Sequence, residues 1–247
     1  MLATAAVMTV AHGSAQGRGA APPRSPRAGA PVDLTGYWVS LVTEDWRFRM
    51  FTPPKGDFAA VPLNPEGRKT AQAWDPARDA ASGESCKAYG AGGVMRMPGR
   101  LHITWVNDTT LEVDTDAGTQ TRTLRFGTPQ GPGGDWQGMS AASWDRSPTA
   151  LESQSPGSEG QSSGGSLKVT TTKMRSGYLR RNGVPYSGDA LITEYYDRFD
   201  IPGGDSLLVI STEVVDPTYL LQPFWTSTHF KKQNDSTGWN PTPCSVK

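Results

Sequence analysis

Titratable side chains beside aromatic residues give this sequence its clearest means of acid–base chemistry. Glu44 precedes Trp46 by two positions, and Asp197 directly follows two tyrosines. His229 lies in a stretch where polar and apolar residues alternate. A carboxyl group held among aromatic rings has a raised pKa and can act as a general acid or base. We therefore take Glu44, Asp197 and His229 as candidate catalytic residues, with a solvated surface role as the alternative for each.

Aromatic residues are the second feature with chemical meaning, because the chain carries eight tryptophans and seven tyrosines. Flat, rigid rings provide contact area for a flat or ring-containing ligand at small entropic cost. Ordinary packing in a hydrophobic core is the alternative for any one of them. The residues predicted to line a ligand cavity are Trp38, Trp46, Trp105, Tyr195 and Trp225.

Metal-dependent and nucleotide-dependent chemistry has no signature in the sequence. After the N-terminal segment the histidines are His102 and His229, and neither a C-x-x-C nor an H-E-x-x-H pattern occurs. The G-x-S-x-G pattern at 160–164 lies in a Ser/Gly-rich stretch, without the strand and helix that flank a nucleophile elbow. The sequence therefore predicts no metal and no other cofactor.

The charge balance bears on the class of partner. Lysine and arginine together number 24, as do aspartate and glutamate, so no net charge attracts nucleic acid or an acidic membrane. We expect no nucleic-acid partner. A small hydrophobic or aromatic molecule fits this balance better.

The first residues predict export. Residues 1–10 are uncharged and mostly apolar and run into small residues, which is typical of a signal peptide cleaved near Ala15, with a buried helix as the alternative. No segment reaches the roughly 20 apolar residues of a membrane-spanning helix. We predict a signal peptide at 1–15, a flexible lead-in at 16–32 and a single domain at 33–247 in a secreted or periplasmic protein.

Cysteine usage fits that compartment. Cys86 and Cys244 are the only cysteines, and an even count in an exported chain favours one disulfide between them. A pair of buried free thiols and a two-cysteine metal site are the alternatives.

The elements that must position these residues are mostly strands. Asn64 followed by Pro65 predicts the start of the one good helix, which ends near residue 75. The Ser/Gly-rich segment 146–165 is predicted to be a mobile loop. Eight or nine mostly antiparallel strands predict an all-β barrel with one short helix, or alternatively a β-sandwich. Alternating runs between turn residues place the strands near 34–42, 101–106, 111–115, 121–126, 136–144, 167–174, 190–199, 207–215 and 223–232.

Alternation within the first strand also predicts which side chains face a barrel interior. If this strand continues through 46–50 without a bulge, Trp38, Glu44 and Trp46 share one face. Trp38 would then lie at the closed end of a cavity, and Glu44 and Trp46 would lie nearer its wall. One bulge would turn Asp45 inward instead.

The tripeptide Gly36-Tyr37-Trp38 resembles the Gly-x-Trp signature of the lipocalins. In that family the tryptophan closes one end of an eight-stranded barrel. Thr193-Glu194-Tyr195 resembles the family's second motif, and Lys231 or Lys232 would replace the arginine of its last strand. A longer pattern, which includes 136–140, is similar to a group of uncharacterised secreted proteins of soil bacteria. That resemblance implies the fold and export but no particular activity.

Three functions follow, in order of preference. The first is an exported barrel that binds a small hydrophobic or aromatic molecule. The second is a cofactor-independent cyclase, isomerase or hydratase that uses Glu44 or Asp197 with a tyrosine or His229 in the barrel. The third is a structural or surface protein with a filled barrel. Convergence of the three candidate catalytic residues would favour the enzyme, and an apolar cavity would favour the binding protein.

Overall fold

Strands dominate the structure, a computed structural model that describes residues 24–129, 131–145 and 165–246. The strands of this part of the chain are β1 (Gly36–Leu41), β2 (Arg100–Asn107), β3 (Thr110–Thr115), β4 (Gln120–Phe126), β5 (Met139–Asp145), β6 (Ser166–Thr172), β7 (Gly177–Arg180), β8 (Val184–Tyr186), β9 (Leu191–Asp200), β10 (Ser206–Val215) and β11 (Phe224–Gln233). Nine of them close into a barrel in the order β1-β11-β10-β9-β6-β5-β4-β3-β2, while β7 and β8 form a separate pair. The predicted all-β barrel is therefore confirmed.

Eight of the nine neighbouring pairs in the barrel are antiparallel, and β2–β3, β3–β4 and β9–β10 are joined by short turns that the sequence predicts. The exception is the pair β4 and β5, which run parallel because the connection through 127–138 carries the chain from one end of the barrel to the other. Inward-facing side chains alternate with outward-facing ones along each strand, as the period of two requires.

The described residues form three short helices, α1 (Trp46–Arg49), α2 (Pro65–Gln72) and α3 (Pro76–Ala81). The predicted helix is α2, whose first turn is capped by Asn64, with Oδ1 accepting from the Gly67 amide at 2.8 Å. Asp75, expected to end that helix, instead caps α3 by accepting from the amides of Ala77 and Arg78. Asn64 and Asp75 thus begin successive helices, each with a proline in its first turn.

The expected continuation of the first strand through 46–50 is wrong. The chain leaves β1 after Leu41, turns at Asp45 with a left-handed φ of 49°, and forms α1. Arg49 at the end of α1 is buried and donates to Ser40 Oγ and to the Arg96 carbonyl. These acceptors hold α1 back against the barrel, and Trp46 therefore does not share a face with Trp38.

Trp38 lies in the main core of the barrel and is fully buried. Its indole Nε1 donates to the Leu34 carbonyl at 2.9 Å, and Lys232 Nζ lies 4.5 Å from the centroid of its rings. Of the two lysines that the lipocalin resemblance suggested for the last strand, Lys232 is the one that lies over Trp38. A closed barrel with this contact is consistent with a lipocalin-like fold, although it has nine strands instead of eight.

Different segments cover the two ends of the barrel. Residues 24–35, here called the strap, cross the end where β2 joins β3, with the Arg27 amide donating to the Asp108 carbonyl at 3.1 Å. The opposite end is covered by residues 42–99, by β7 and β8, and by the connection from β10 to β11. Leu63 and Leu220 pair there within a second hydrophobic cluster.

A charged pair separates the two clusters inside the barrel. Arg122 of β4 and Glu194 of β9 are fully buried and face each other across the interior, with nitrogen–oxygen distances of 2.8 and 2.6 Å. Thr171 accepts a further hydrogen bond from Arg122 at 3.2 Å, and Ser140 lies 2.8 Å from Thr171. The interior is therefore occupied by packed side chains around one hydrogen-bonded ion pair.

The predicted disulfide is confirmed. Cys86 and Cys244 are bonded, with their Cα atoms 5.1 Å apart. The bond holds the C-terminal segment beside the turn between β3 and β4, where Thr242 pairs with Ala117.

Some sequence-based expectations concern residues outside the described ranges. The predicted signal peptide at 1–15 lies there, as does the predicted loop 146–165 except for Gly165. Within the described ranges, no helix has the length and apolar character needed to span a membrane.

Candidate functional site

Glu44 and His229, two of the three candidate catalytic residues, are in direct contact. Glu44 follows the end of β1, and His229 pairs with Leu41 of β1 from its place on β11. Glu44 Oε2 lies 2.7 Å from His229 Nδ1 and accepts from Thr43 Oγ1 at 2.8 Å. Closure of the barrel between its first and last strands thus brings together residues 185 positions apart.

Arg49 fixes the other oxygen of the Glu44 carboxylate. Its Nη1 forms an ion pair with Glu44 Oε1, while Nη2 and Nε donate to Ser40 Oγ and the Arg96 carbonyl at 3.1 and 3.0 Å. Every nitrogen of the guanidinium is therefore bonded. The carboxylate is held in one orientation toward His229.

The surroundings of His229 favour a neutral imidazole with a defined tautomer. Burial, together with the charge of Arg49, lowers the pKa of His229 below its ordinary value of 6.5. A carboxylate only accepts hydrogen bonds, so the contact with Glu44 assigns the proton to Nδ1. Nε2 is then the basic nitrogen, as in a general base oriented by a carboxylate.

Asp197 does not join this pair. Its carboxylate accepts from Ser166 Oγ on the neighbouring strand. Val209 of β10 pairs with Asp197 on one side and with His229 on the other, so a whole strand lies between the two. Adjacent strands are about 4.8 Å apart, which places the two backbones about 10 Å from each other.

The predicted aromatic wall is dispersed over the molecule. Trp46 on α1 and Trp225 on β11 are 58% and 55% exposed. Tyr195 lies on the outer face of β9, with Lys168 Nζ 5.7 Å from its ring centroid. Trp38 is in the core, so Trp105 is the one predicted ligand-lining residue found at an opening of the barrel.

Trp105 belongs to an aromatic cluster at the strap end of the barrel, defined here as Trp105, Phe126 and Trp144. The ring centroids of Trp105 and Phe126 are 5.5 Å apart, those of Phe126 and Trp144 are 5.4 Å apart, and those of Trp105 and Trp144 are 6.4 Å apart. All three lie on the inward-facing positions of β2, β4 and β5, above the main core. We call this opening the aromatic mouth.

A groove lies between the aromatic mouth and the strap. Its volume is about 760 Å³, which is within the range of small-molecule sites. Phe126, Ala142 and Trp144 line one side, and residues 24–26 with Gly29 line the other. Trp144 Nε1 donates to the Pro26 carbonyl at 2.8 Å, so the strap is attached to one wall of the groove.

Comparison with known protein families, curated proteins and solved structures finds no match to this chain. Function must therefore be argued from the two sites alone. One is a mainly apolar groove with two aromatic rings on one side, and the other is a histidine oriented by a carboxylate.

Three residues of these two sites were not predicted from the sequence, namely Arg49, Phe126 and Trp144. The alternation of β4 and β5 places Phe126 and Trp144 inward, and that signal could have identified them. Arg49 has no such signal, because its role depends on the turn at Asp45. Among the described residues, no group of three or more His, Cys, Asp or Glu side chains is arranged to hold a metal ion.

Proposed function

We propose that this protein is an exported β-barrel that binds a small hydrophobic or aromatic molecule at the aromatic mouth. The observation that supports this is the groove of about 760 Å³ between the strap and the rings of Phe126 and Trp144. The disulfide fits an extracellular or periplasmic location.

The mouth is favoured over the centre of the barrel because side chains fill the centre. Trp38, Tyr196 and Phe230 are buried there, below the aromatic cluster. A ligand therefore contacts the upper rings and the strap, without reaching the Arg122 ion pair.

The walls of the groove favour a neutral, flat ligand. The indole N–H of Trp144 is already bonded to the Pro26 carbonyl, so Trp144 offers its ring and no donor. The polar residues at the groove are Arg24, Ser25 and Ser143. Ring stacking against Trp144 would then supply much of the affinity.

Replacement of Trp144 by alanine is expected to weaken binding of the uncharged probe N-phenyl-1-naphthylamine at least tenfold. Loss of the Trp144 ring removes about 1.4 kcal/mol or more of contact energy, which corresponds to a tenfold change in affinity. The probe's fluorescence increase on titration provides the measurement. Trp46→Ala is the matched control, because Trp46 is exposed and lies on α1, in the segment that covers the opposite end of the barrel. Equal affinities for wild type and Trp144→Ala would remove the groove as the site.

A second candidate function is proton transfer by His229, with Glu44 as the orienting residue. The observation that favours it is the 2.7 Å contact of Nδ1 with a carboxylate that Arg49 also holds. Such a pair could act as the base of a cofactor-independent isomerase, cyclase or hydratase. Asp197 takes no direct part in this proposal.

His229 is expected to titrate below pH 6.5, with its proton on Nδ1 above that value. Long-range proton–nitrogen correlation spectra of the imidazole report both properties, and His102 provides an internal comparison. Because folding lowers the pKa of His229, the unfolded chain binds the proton more readily. Stability therefore falls as the pH drops through about 6.5, and it is unaffected above that range. A pKa above 6.5 or an Nε2–H tautomer would exclude the proposed base.

A further inference from the structure

The guanidinium of Arg180 is buried without a carboxylate bonded to it. Arg180 ends β7 and is 3% exposed. Its Nη1 donates to the Ala59 carbonyl at 2.7 Å. Its Nε and Nη2 have no hydrogen-bond acceptor among the described residues.

Nε and Nη2 form one edge of the guanidinium plane. This edge presents two parallel N–H groups, the arrangement that binds two oxygens of a carboxylate or phosphate. The face of the group is fixed by the ring of Phe48, whose centroid lies 3.9 Å from Cζ. These contacts therefore hold the guanidinium in place while its Nε/Nη2 edge stays unbonded among the described residues.

Arg96, whose charge acts on Arg180, carries a further buried donor without an acceptor in the described ranges. It is 7% exposed, and its Nη2 donates to Asp45 Oδ2 at 2.9 Å. Its Nη1 has no acceptor among the described residues. Burial, with the nearby charge of Arg96, lowers the pKa of Arg180 to about 10, so Arg180 remains charged at neutral pH.

The local charge is not balanced by the protein's own carboxylates. Arg49 is paired with Glu44 and Arg96 with Asp45. Asp45 and Asp57 act on Arg180 only through space. A buried cation that lacks a bonded anion destabilises the fold, and an anion that binds it removes this effect.

We propose that Arg180 and Arg96 bind an oxyanion, which is the carboxylate or phosphate group of a small ligand. Arg180 would receive two oxygens on its Nε/Nη2 edge, and Arg96 Nη1 would donate to one of them. The site lies at the end of the barrel opposite the strap, so it is independent of the groove at the aromatic mouth.

The ring of Phe48 on α1 lies against the guanidinium of Arg180. Phe48 lies between Arg180 and the exposed Arg47, whose Cζ is 5.0 Å from the same ring. α1 is four residues long and begins at the left-handed Asp45.

Binding of inorganic phosphate and of acetate, measured by calorimetry at constant ionic strength, tests the site. We expect saturable binding of at least one anion to wild type, and a loss of at least tenfold in affinity in Arg180→Met and in Arg180→Lys. Lysine keeps the positive charge but lacks the two-donor edge. Weaker binding in Arg180→Lys would therefore show that the anion needs both donors and not only a positive charge. Arg175→Gln is the control, because Arg175 is largely exposed and paired with Glu84.

The relative affinities of the two anions identify the group that is bound. Equal binding by wild type and both Arg180 variants would overturn the proposal, as would the absence of binding to wild type at about 10 mM of either anion. If Arg180→Met does not fold, Arg180→Lys and Arg96→Lys still decide the outcome.

Discussion

Substitution of Glu194 by alanine is expected to lower the free energy of unfolding by about 3–5 kcal/mol. Glu194 and Arg122 are both fully buried, so the variant leaves an arginine cation in the core without its carboxylate. Burial alone would lower the pKa of Arg122, but the charge and hydrogen bonding of Glu194, together with Tyr196 and Tyr186, outweigh it and the net shift is upward. An arginine guanidinium stays protonated in proteins, so the Arg122 cation remains when Glu194 is lost. Denaturant unfolding, followed by tryptophan fluorescence, measures the effect.

The double variant Arg122→Met/Glu194→Leu provides the control for that experiment. It removes both charges and retains most of the side-chain volume, so most of the lost stability should return. A loss of under about 1 kcal/mol in Glu194→Ala would show that the pair is not buried as described. Failure of the double variant to recover would indicate that the hydrogen bond to Thr171 matters more than the charges.

Removal of the disulfide is expected to cost about 2–5 kcal/mol, with the chain-entropy argument giving a value near the upper limit. The bond closes a loop between residues 158 positions apart, and the unfolded chain gains much freedom when it opens. Cys86→Ser/Cys244→Ser measured in the same denaturant series gives the size of the effect. The C-terminal segment keeps the hydrogen bonds of Thr242, whose amide and hydroxyl donate to the Asp116 carbonyl and whose carbonyl accepts from Thr119. Those bonds predict a folded but less stable variant.

Intact mass after alkylation without reductant is the control for the disulfide. The native protein should carry no alkyl group, and the reduced, unfolded protein should carry two. Two reactive thiols in native protein, or an unchanged unfolding free energy in the serine variant, would contradict this interpretation.

The strands could be predicted because their signal is local. Alternation of polar and apolar residues and the turn at Asn107 depend only on neighbours along the chain, and β2 and β3 lie where they were expected. α1 could not be predicted in this way. It forms because Arg49 finds acceptors on Ser40 and Arg96, which are distant groups that no short window of sequence contains.

The candidate sites show the same division. Glu44 and His229 were each identified by residue type, yet their contact depends on the closure of the barrel between β1 and β11. Trp46 was misplaced because the continuation of the strand was wrong. Glu194 lies in a run of polar and aromatic residues that does not indicate its partner. Its ion pair with Arg122 forms only because the barrel brings β9 and β4 to opposite sides of one interior.

The two ends of the barrel offer different chemistry. The aromatic mouth presents rings to a neutral, flat molecule, whereas the far end holds Arg180, Arg96 and the Glu44–His229 pair. A charged ligand and an apolar ligand would therefore bind at separate places. Competition between them is not expected.

The central claim, binding at the aromatic mouth, is tested most directly by the indole N–H signals of the tryptophans. Titration with N-phenyl-1-naphthylamine should move the signal of Trp144, together with that of Trp105, whose ring lies 6.4 Å away. The signals of Trp46 and Trp225, which are exposed on other surfaces, should not move. Shifts confined to Trp46 or Trp225, or saturable binding that leaves Trp144 unchanged, would contradict the proposed site.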